Sequence, residues 1–330
     1  MRQLLLVIPL FTMAISNAAQ ITEGDFKDRA DVGAFIVKMA RQSDYSETEL
    51  VDLFSSVKKQ EHLFELLDKP AEKELLWYQY RHIFISDNRI NQGVKFWRTH
   101  QAILSEVFRK TGVPEQIIVA IIGVETFYGT YRGKYPVFDS LVTLAFDYPK
   151  RGPFFTRELE QFLLLVKEQN LKAKDLRGSY AGAMGVPQFI ASSYRSYAVD
   201  FDRDGQIDLF DSIADVAGSV ANYFVKHGWR VNEAVAGPLT ALENNTIDQL
   251  KPGKKPSYQW SELAQNGLYS KTELDPATKV ALIKLEQKNY FEYWVGLQNF
   301  YVITRYNHSE LYAMAVYQLS LLIKASMEQG

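Results

Sequence analysis

Apolar side chains in the first third of the chain recur every three or four residues, which is the spacing of one face of an α-helix. The pattern is carried by Val32, Phe35, Ile36 and Met39 and later by Phe96, Ile103, Leu104 and Val107. We therefore predict that residues 30–110 form mainly packed helices. The same spacing predicts amphipathic helices at 157–169 and 213–224, and it returns at 312–323 near the end of the chain.

A different pattern runs from Ile117 to Val124, where no side chain is polar. A helix that is apolar on nearly every face belongs inside a large core. We predict that it begins at Pro114, because proline lacks the N–H that the first helical residue would leave unpaired. Glu125 follows directly, so a carboxyl group stands at the end of a buried helix.

Glu125 is therefore the candidate acid. Desolvation disfavours the ionised form of a carboxyl group, so burial at this position is expected to raise its pKa. A carboxylic acid that stays protonated near neutral pH can serve as a general acid. The alternative for an isolated Glu in such a segment is a structural carboxylate that pairs with an arginine.

Two further segments depart from helical spacing. Residues 178–188 contain three glycines and a proline, which is typical of a tight loop whose backbone closely approaches another group. After Trp229 the chain becomes rich in Pro, Gly, Asn and Lys, and residues 232–274 carry only short apolar pieces. This composition predicts an irregular or small β-containing insertion.

The length of 330 residues, with 47% hydrophobic and 23% charged side chains, allows one large domain together with a smaller one or an insertion. We predict a helical region that includes a catalytic core at 19–230, an insertion at 231–297, and a C-terminal segment at 298–330 that returns to the helical domain.

Residues 1–18 have the layout of a secretory signal peptide. Basic Arg2 precedes an apolar run from Leu4 to Ile15, and the small residues Ser16 and Ala18 precede a predicted cut before Ala19. The alternative is an N-terminal membrane anchor, but the run is shorter than the roughly 20 residues that span a bilayer. We expect an exported, soluble periplasmic protein with no membrane span after signal removal.

Composition excludes several kinds of chemistry. The chain has no cysteine, which excludes disulfides, thiolate metal sites, cysteine nucleophiles and a lipidated N-terminal cysteine. A net charge of −2 argues against nucleic acid as a partner and against electrostatic capture by an anionic membrane. Aromatic residues make up 13% of the chain, and some of them are candidates for stacking platforms.

An acidic loop begins at Asp200. Asp200, Asp202 and Asp204 occupy positions 1, 3 and 5 of a calcium-binding EF-hand, Gly205 occupies position 6, and Asp211 stands at position 12 in place of the usual Glu. Crowded carboxylates repel one another without a cation. The pattern therefore predicts a calcium that stabilises the fold, since no second EF-hand is present to form a sensor pair. The alternative is a solvated acidic turn.

Four blocks of sequence resemble the membrane-bound lytic murein transglycosylase B family. The blocks are IIGVETFYG at 121–129, GSYAGAMGVPQFIASSY at 178–194, GSVANYFVKHGW at 218–229 and NFYVITRYNHSELYAMAVYQL at 299–319. The resemblance runs in order from about Tyr80 to Leu319. It implies an α+β, mostly α fold with a lysozyme-like core, additional helices and a small β-containing insertion, in a soluble, non-lipidated member of the family.

The resemblance also implies a reaction. The expected partner is the glycan strand of peptidoglycan, and the bond cut is the β-1,4 bond between N-acetylmuramic acid and N-acetylglucosamine. Glu125 would act as the sole acid/base, so that the muramic C6 hydroxyl attacks intramolecularly and a 1,6-anhydro end forms. Ordinary glycosidases use two carboxyl groups, whereas a tethered hydroxyl has a large effective concentration. No cofactor is expected for catalysis.

Further site residues follow from similarity to the family alone. Eight are implied to bind the glycan, the last two as outer contributors: Ser179, Gln188, Tyr223, Tyr306, Asn307, Tyr312, Tyr80 and Arg151. The calcium loop of the family can be longer than a standard EF-hand, so Asp215 competes with Asp211 as the last ligand. The implied metal ligands are Asp200, Asp202, Asp204, Gln206 and one or both of Asp211 and Asp215.

Two alternatives remain open from the residues. Asp139 or Asp147 could supply a second carboxylate, and the protein would then be a lysozyme-type hydrolase that consumes water. The other alternative is a calcium-stabilised glycan-binding module without turnover. The sequence does not indicate endo or exo action, peptide-stem preference, physiological partners or oligomeric state.

Overall fold

The structure is a computed structural model, and it describes residues 19–68, 75–242 and 246–329. Most of the secondary structure in these ranges is helical. The predicted signal peptide at 1–18 lies outside these ranges. Within them, residues 19–60 belong to one compact unit and the residues from 61 onward to a second.

The first unit contains helices α1 (Ala30–Gln42) and α2 (Glu47–Ser55). The predicted apolar stripe of α1 is buried, and the Phe35 ring lies 5.9 Å from the Phe54 ring of α2. Ser46 starts α2 with a capping box, because its hydroxyl accepts the backbone N–H of Glu49 at 3.1 Å while the Glu49 carboxylate accepts that of Ser46 at 2.7 Å.

The second unit is built around a fully apolar helix, α7. The helices of this unit within the described ranges are α3 (Leu63–Asp68), α4 (Trp77–Phe84), α5 (Asp87–Thr99), α6 (Gln101–Thr111), α7 (Glu115–Thr126), α8 (Val137–Asp147), α9 (Gly152–Glu168), α10 (Ala191–Tyr197), α11 (Ile213–Lys226), α12 (Trp260–Gln265), α13 (Gln298–Tyr306) and α14 (Glu310–Gln329). Helices α5, α6, α11 and α14 all pack against α7. This encirclement explains why its residues from Ile117 to Val124 are all buried.

Two helix starts differ from the sequence prediction. Pro114 is the N-cap of α7 and not its first helical residue, because its ψ of 138° is extended. Helix α9 begins at Gly152, five residues before the predicted start at 157. Pro153 lies in its first turn, where a fixed φ and a missing N–H are both tolerated.

The described strands form two antiparallel sheets. Strands β1 (Tyr135–Pro136) and β2 (Arg177–Gly178) pair near the glycine-rich loop. The larger sheet has the order β4-β6-β7-β3-β5. Its strands are β3 (Ala236–Ala241), β4 (Tyr258–Gln259), β5 (Leu268–Ser270), β6 (Lys279–Glu286) and β7 (Phe291–Gly296).

The larger sheet has its own small core. Val280 and Leu282 of β6 and Val295 of β7 pack with Leu263 of α12 and Leu268 of β5. All five strands lie between residues 231 and 297, so the predicted fold class, mostly α with a small β-containing insertion, is confirmed. The division of the chain into domains at 231 and 298 stays a prediction.

In the described ranges, no helix combines the length and the apolar character that crossing a bilayer requires.

Candidate active site

Glu125 lies in the last turn of α7, and the chain leaves the helix through an unusual backbone conformation. Phe127 and Tyr128 both have positive φ, 50° and 60°, which is uncommon for bulky side chains and stores strain. The Tyr128 hydroxyl donates to the backbone oxygen of Arg89 at 2.8 Å. Its ring lies against Gly123, where an added Cβ would come within 2.6 Å of the ring. Packing therefore fixes the turn that carries Glu125.

Tyr312 of α14 is the direct partner of Glu125. Its hydroxyl donates to Glu125 Oε1 at 2.5 Å, and the side chain is buried. Burial and the adjacent Glu125 charge raise the pKa of Tyr312 well above its usual value. The same two causes raise the pKa of Tyr306. Both phenols therefore remain protonated donors at neutral pH.

The glycine-rich loop is bound to the end of α7. The Thr126 hydroxyl donates to the Val186 carbonyl at 2.9 Å, and the Tyr306 hydroxyl donates to the Pro187 carbonyl at 2.7 Å. The segments that carry Glu125, the loop and Tyr306, which sequence reasoning could not place together, thus meet at one point. The sequence analysis assigned no role to Thr126. Its position directly after Glu125 is the signal that could have identified it as a residue that supports the site.

Gln188 and Ser179 shape the loop from within. The Gln188 side-chain amide donates to the carbonyls of Gly185 at 2.9 Å and Arg132 at 3.1 Å. The Ser179 hydroxyl accepts the backbone N–H of Ala183 at 3.0 Å. Both residues are half-buried. These bonds hold the loop in its tight conformation.

A cavity of about 570 Å³ opens beside this junction. Four predicted site residues line it, namely Arg151, Gln188, Tyr223 and Tyr306. The Tyr223 ring lies 5.0 Å from the Tyr306 ring, and its hydroxyl donates to the Arg305 carbonyl at 2.6 Å. Burial raises the pKa of Tyr223 to about 12. The cavity combines aromatic walls with polar groups, as expected of a saccharide site.

The other predicted contacts lie elsewhere. Tyr80, Ser179, Asn307 and Tyr312 are not among the described residues that line this cavity. Tyr80 is buried in α4, and it is close enough to Tyr312 to contribute to the raised pKa of that phenol. Asn307 is exposed and ends α13.

The other described residues that line the cavity were missed by sequence reasoning, and Phe189, His227 and Arg305 are among them. The His227 ring stacks on Tyr223 at 4.0 Å. The spacing of four residues along α11 between these two rings is the signal that could have found it.

The acidic loop brings three of its predicted ligands together. One carboxylate oxygen from each of Asp200, Asp202 and Asp204 lies within 4.8 Å of the others. The Asp200 carboxylate accepts the backbone N–H groups of Asp204 at 3.1 Å and Gly205 at 3.0 Å, which turns the loop around it. Gly205 has a φ of 95°, a conformation that favours glycine. Clustered carboxylates on a turned loop fit a hard cation such as calcium.

The two candidates for the last ligand differ in environment. The Asp211 carboxylate is 80% exposed and forms an ion pair with Arg132 at 3.0 Å. Asp215 is buried and accepts backbone N–H groups from Phe201 at 2.7 Å and Asp208 at 2.8 Å. Burial raises its pKa, and the charges of Asp202 and Asp200 add to the effect. Gln206, the remaining predicted ligand, is exposed at position 7 of the loop.

Comparison with known proteins extends over almost the whole chain. The family described as Transglycosylase SLT domain matches residues 27–321. The Membrane-bound lytic murein transglycosylase B of Escherichia coli (strain K12) is 39% identical over 315 residues, which cover 93% of this chain and 86% of that protein.

Solved structures agree with this match. The soluble lytic transglycosylase SltB1 of Pseudomonas aeruginosa is 44% identical with a TM-score of 0.85, over 90% of this chain and 99% of that one. The Escherichia coli lytic transglycosylase Slt35 in complex with calcium is 39% identical with a TM-score of 0.88, over 96% of this chain and 99% of that one. Slt35 has also been solved in complex with bulgecin A.

These neighbours confirm the lysozyme-like fold that the motifs implied, and they favour transglycosylation over both the hydrolase and the binding-module alternatives. The chain therefore belongs to the membrane-bound lytic murein transglycosylase B family, and it is a lytic transglycosylase of peptidoglycan.

Proposed function

We propose that Glu125 performs both proton transfers when the enzyme cleaves the β-1,4 bond between N-acetylmuramic acid and N-acetylglucosamine. The observation that carries the proposal is the Tyr312 hydrogen bond to Glu125 Oε1 at the end of a buried helix. Tyr306 links this acid to the cavity. Its side chain lines the cavity, and the nearby Glu125 charge contributes to its raised pKa.

In the first step, Glu125 donates its proton to the glycosidic oxygen while the bond from that oxygen to the muramic C1 breaks. The resulting carboxylate then accepts the proton of the muramic C6 hydroxyl as its oxygen forms a bond to C1. The product is a 1,6-anhydro end, and no water is consumed. The Tyr312 donor stabilises the carboxylate between the two steps, because a hydrogen bond to a charged acceptor is strong.

The glycan contacts are assigned to the cavity and to the residues around it. Tyr223 and Tyr306 offer aromatic walls for the apolar faces of sugar rings. Arg151 offers donors to the hydroxyl and carboxyl groups of the glycan, and the Gln188 side-chain oxygen offers an acceptor, since both of its amide N–H groups are bonded to the loop. Ser179 and Asn307 are assigned to the rim. Tyr80 and Tyr312, both buried, act on the substrate through the position of Glu125.

Product analysis tests this proposal. Purified peptidoglycan is digested with the wild-type enzyme and with Glu125→Gln, and the released fragments are identified by mass spectrometry. We expect 1,6-anhydro ends from the wild type and no release by the variant, with glycan binding retained. Reducing ends would identify a hydrolase, and full release by Glu125→Gln would overturn the assignment of the acid.

Calcium is proposed as a structural ligand of the acidic loop. Asp200, Asp202 and Asp204 would hold it together with the Gln206 carbonyl, and Asp215 is favoured over Asp211 because the Asp211 carboxylate contacts Arg132. The calcium complex of the relative Slt35 supports this proposal. The ion would neutralise the crowded carboxylates, and its binding free energy would add to folding stability.

Chelation distinguishes a structural ion from a catalytic one. Calcium removal should lower the melting temperature more than it lowers the turnover of the enzyme that remains folded. Asp202→Asn should reproduce the lower melting temperature and abolish the response to added calcium. Immediate loss of turnover at an unchanged melting temperature would contradict a structural role.

The cellular location is proposed to be the periplasm, because residues 1–18 have the pattern of a cleaved signal. Fractionation of cells that produce the full chain, followed by N-terminal sequencing, tests it. A mature chain that begins at Ala19 in the periplasmic fraction is the expected result.

A further inference from the structure

The wall that α11 contributes to the proposed glycan cavity contains a pair of stacked rings. The His227 ring lies 4.0 Å from the Tyr223 ring at an angle of 21°, and the Tyr223 hydroxyl is bonded to the Arg305 carbonyl at 2.6 Å. Tyr223 is only 8% exposed, whereas His227 is half-buried and lines the cavity. His227 is therefore the member of this pair that a ligand reaches more easily.

A contact with the backbone fixes the tautomer of His227. Its Nδ1 lies 2.7 Å from the Tyr223 carbonyl oxygen, which is one turn earlier in α11. A carbonyl oxygen can only accept, so Nδ1 carries the proton of the neutral ring and Nε2 is an acceptor. Within the described ranges Nε2 has no hydrogen-bond partner, and it is not among the buried polar atoms that lack one, so it is open to solvent.

Packing holds the His227 ring in this orientation. The Tyr197 ring of α10 lies 5.0 Å from it, in addition to the stacked Tyr223 ring. Because Nδ1 is turned back towards the helix backbone, Nε2 lies on the outer edge of the ring. An acceptor that is already held in place loses little conformational entropy when a ligand binds.

The cavity offers several donors and no carboxylate. Arg151 and Arg305 line it with guanidinium groups, which donate but cannot accept. No Asp or Glu is among the described residues that line it. The hydroxyl and acetamido N–H groups of a sugar are donors, and each needs an acceptor when it leaves water. His227 Nε2 supplies an acceptor at a fixed place on the α11 wall.

We propose that His227 Nε2 accepts a hydrogen bond from a hydroxyl or acetamido N–H group of the bound glycan, and that His227 is a specificity-determining residue of the enzyme. The inference rests on the proposed glycan site, but not on which group transfers the protons. A site that bonds to a donor of its substrate rejects an analogue without that donor, because the acceptor is then left unpaired.

Calorimetric titration of Glu125→Gln tests the proposal without turnover. The probe is a peptidoglycan tetrasaccharide of alternating N-acetylglucosamine and N-acetylmuramic acid. In this background His227→Phe keeps a ring on Tyr223 but removes the acceptor, and it should weaken binding by about tenfold. His227→Gln removes the ring but keeps a side-chain acceptor, and its affinity should stay within about threefold of the parent. A ring that acts only by stacking predicts the reverse order, which would overturn the proposal, as would equal affinities.

Nitrogen NMR of the protein with isotope-labelled histidine observes the contact directly. Saturation with the tetrasaccharide should shift the Nε2 resonance of His227 and leave its Nδ1 resonance in place, since Nδ1 stays bonded to the helix. His227→Gln identifies the signal by its disappearance. An Nε2 resonance that does not move in the saturated complex would refute the hydrogen bond.

The matched control is His82, which is exposed on α4. His82→Phe makes the same chemical change outside the cavity and should alter the affinity by less than about twofold. In the enzyme with Glu125 intact, His227→Phe should raise KM more than it lowers kcat, because the contact is already made in the bound ground state. A lower kcat at an unchanged KM would contradict a role in binding. If product analysis assigned the acid to a different residue, the order of affinities would still decide the role of His227.

Discussion

The two ends of α7 carry the same residue type in opposite chemical situations. Glu115 lies in the first turn and Glu125 in the last, and both side chains are half-buried. Glu115 receives two donors, the Trp97 indole at 2.6 Å and the Ser105 hydroxyl at 2.5 Å, one on each oxygen. Glu125 receives the Tyr312 hydroxyl on Oε1 and lies beside the junction of the glycine-rich loop and α13.

The helix itself adds to this difference. The N-terminal end of a helix carries partial positive charge and stabilises a nearby anion, whereas the C-terminal end carries partial negative charge and opposes one. Position on the helix therefore adds to the stabilisation of a carboxylate at Glu115 but not at Glu125. The comparison teaches that the helix end and the hydrogen-bond partners of a glutamate together set the chemistry that it can perform.

The largest expected effect is that of Glu125→Gln on turnover. General acid–base catalysis contributes about 10²–10⁴-fold, and both proton transfers are proposed for this one group. The release of 1,6-anhydro fragments per folded molecule should fall by at least this factor, while glycan affinity stays close to that of the wild type. The matched control is Glu115→Gln on the same helix. Equal losses of turnover in the two variants would show that Glu125 has no catalytic role that Glu115 lacks.

Glu115→Gln should act on stability instead. An amide can replace one accepting oxygen but not both, so one charge-assisted hydrogen bond is lost, and the free energy of unfolding should fall by roughly 1.5–3 kcal/mol. Urea denaturation measures this loss, and turnover corrected for the folded fraction should stay within about twofold of the wild type. A stable Glu115→Gln protein with slow turnover would show that this end also takes part in the chemistry.

The apolar run located α7 and the Glu125 at its end, because a helix that is buried on every face has apolar side chains at consecutive positions. The composition of 178–188 likewise indicated a tight loop. The partners of Glu125 were not predictable from local pattern, since Tyr312 lies 187 residues further along the chain. Only the packing of α14 against α7 brings the two side chains together. The family motifs named Tyr312 as a site residue, but they did not indicate that it is buried and bonded to the acid.

Gly123→Ala should have a smaller effect on stability and turnover, and it probes how packing at the centre of α7 affects the turn that carries Glu125. The added methyl would meet the Tyr128 ring at 2.6 Å, and overpacking costs about 1–3 kcal/mol. Alanine regains roughly 1 kcal/mol of helix propensity. We expect a net loss of about 1 kcal/mol in the free energy of unfolding, with reduced kcat, since the Glu125 turn shifts.

A double-variant cycle isolates this contact. Gly123→Ala combined with Tyr128→Leu should cost less than the sum of the two single changes, because the leucine side chain is too short to meet the added methyl. Strict additivity of the two effects would show that Tyr128 does not carry the strain.

The smallest expected effect is a change in tyrosine titration. It tests whether the charge at Glu125 acts on the nearby phenols as the charge at Glu115 does not. The Glu125 charge contributes to the raised pKa values of Tyr306 and Tyr312, because a phenolate is repelled by a nearby carboxylate. Glu125→Gln removes that repulsion, so both pKa values should fall towards the usual value, although burial, the larger cause, keeps them raised. Absorbance at about 295 nm follows phenolate formation near the tyrosine pKa, with circular dichroism recorded alongside to confirm folding. Tyr312→Phe, introduced into the wild type and into Glu125→Gln, identifies which of the two tyrosines gives the shifted titration step. Glu115→Gln should leave the titration curve unchanged, because its carboxylate is at the other end of α7. An unchanged curve in Glu125→Gln would mean that the carboxylate does not act on these phenols, and the electrostatic contrast between the two ends of the helix would then be wrong.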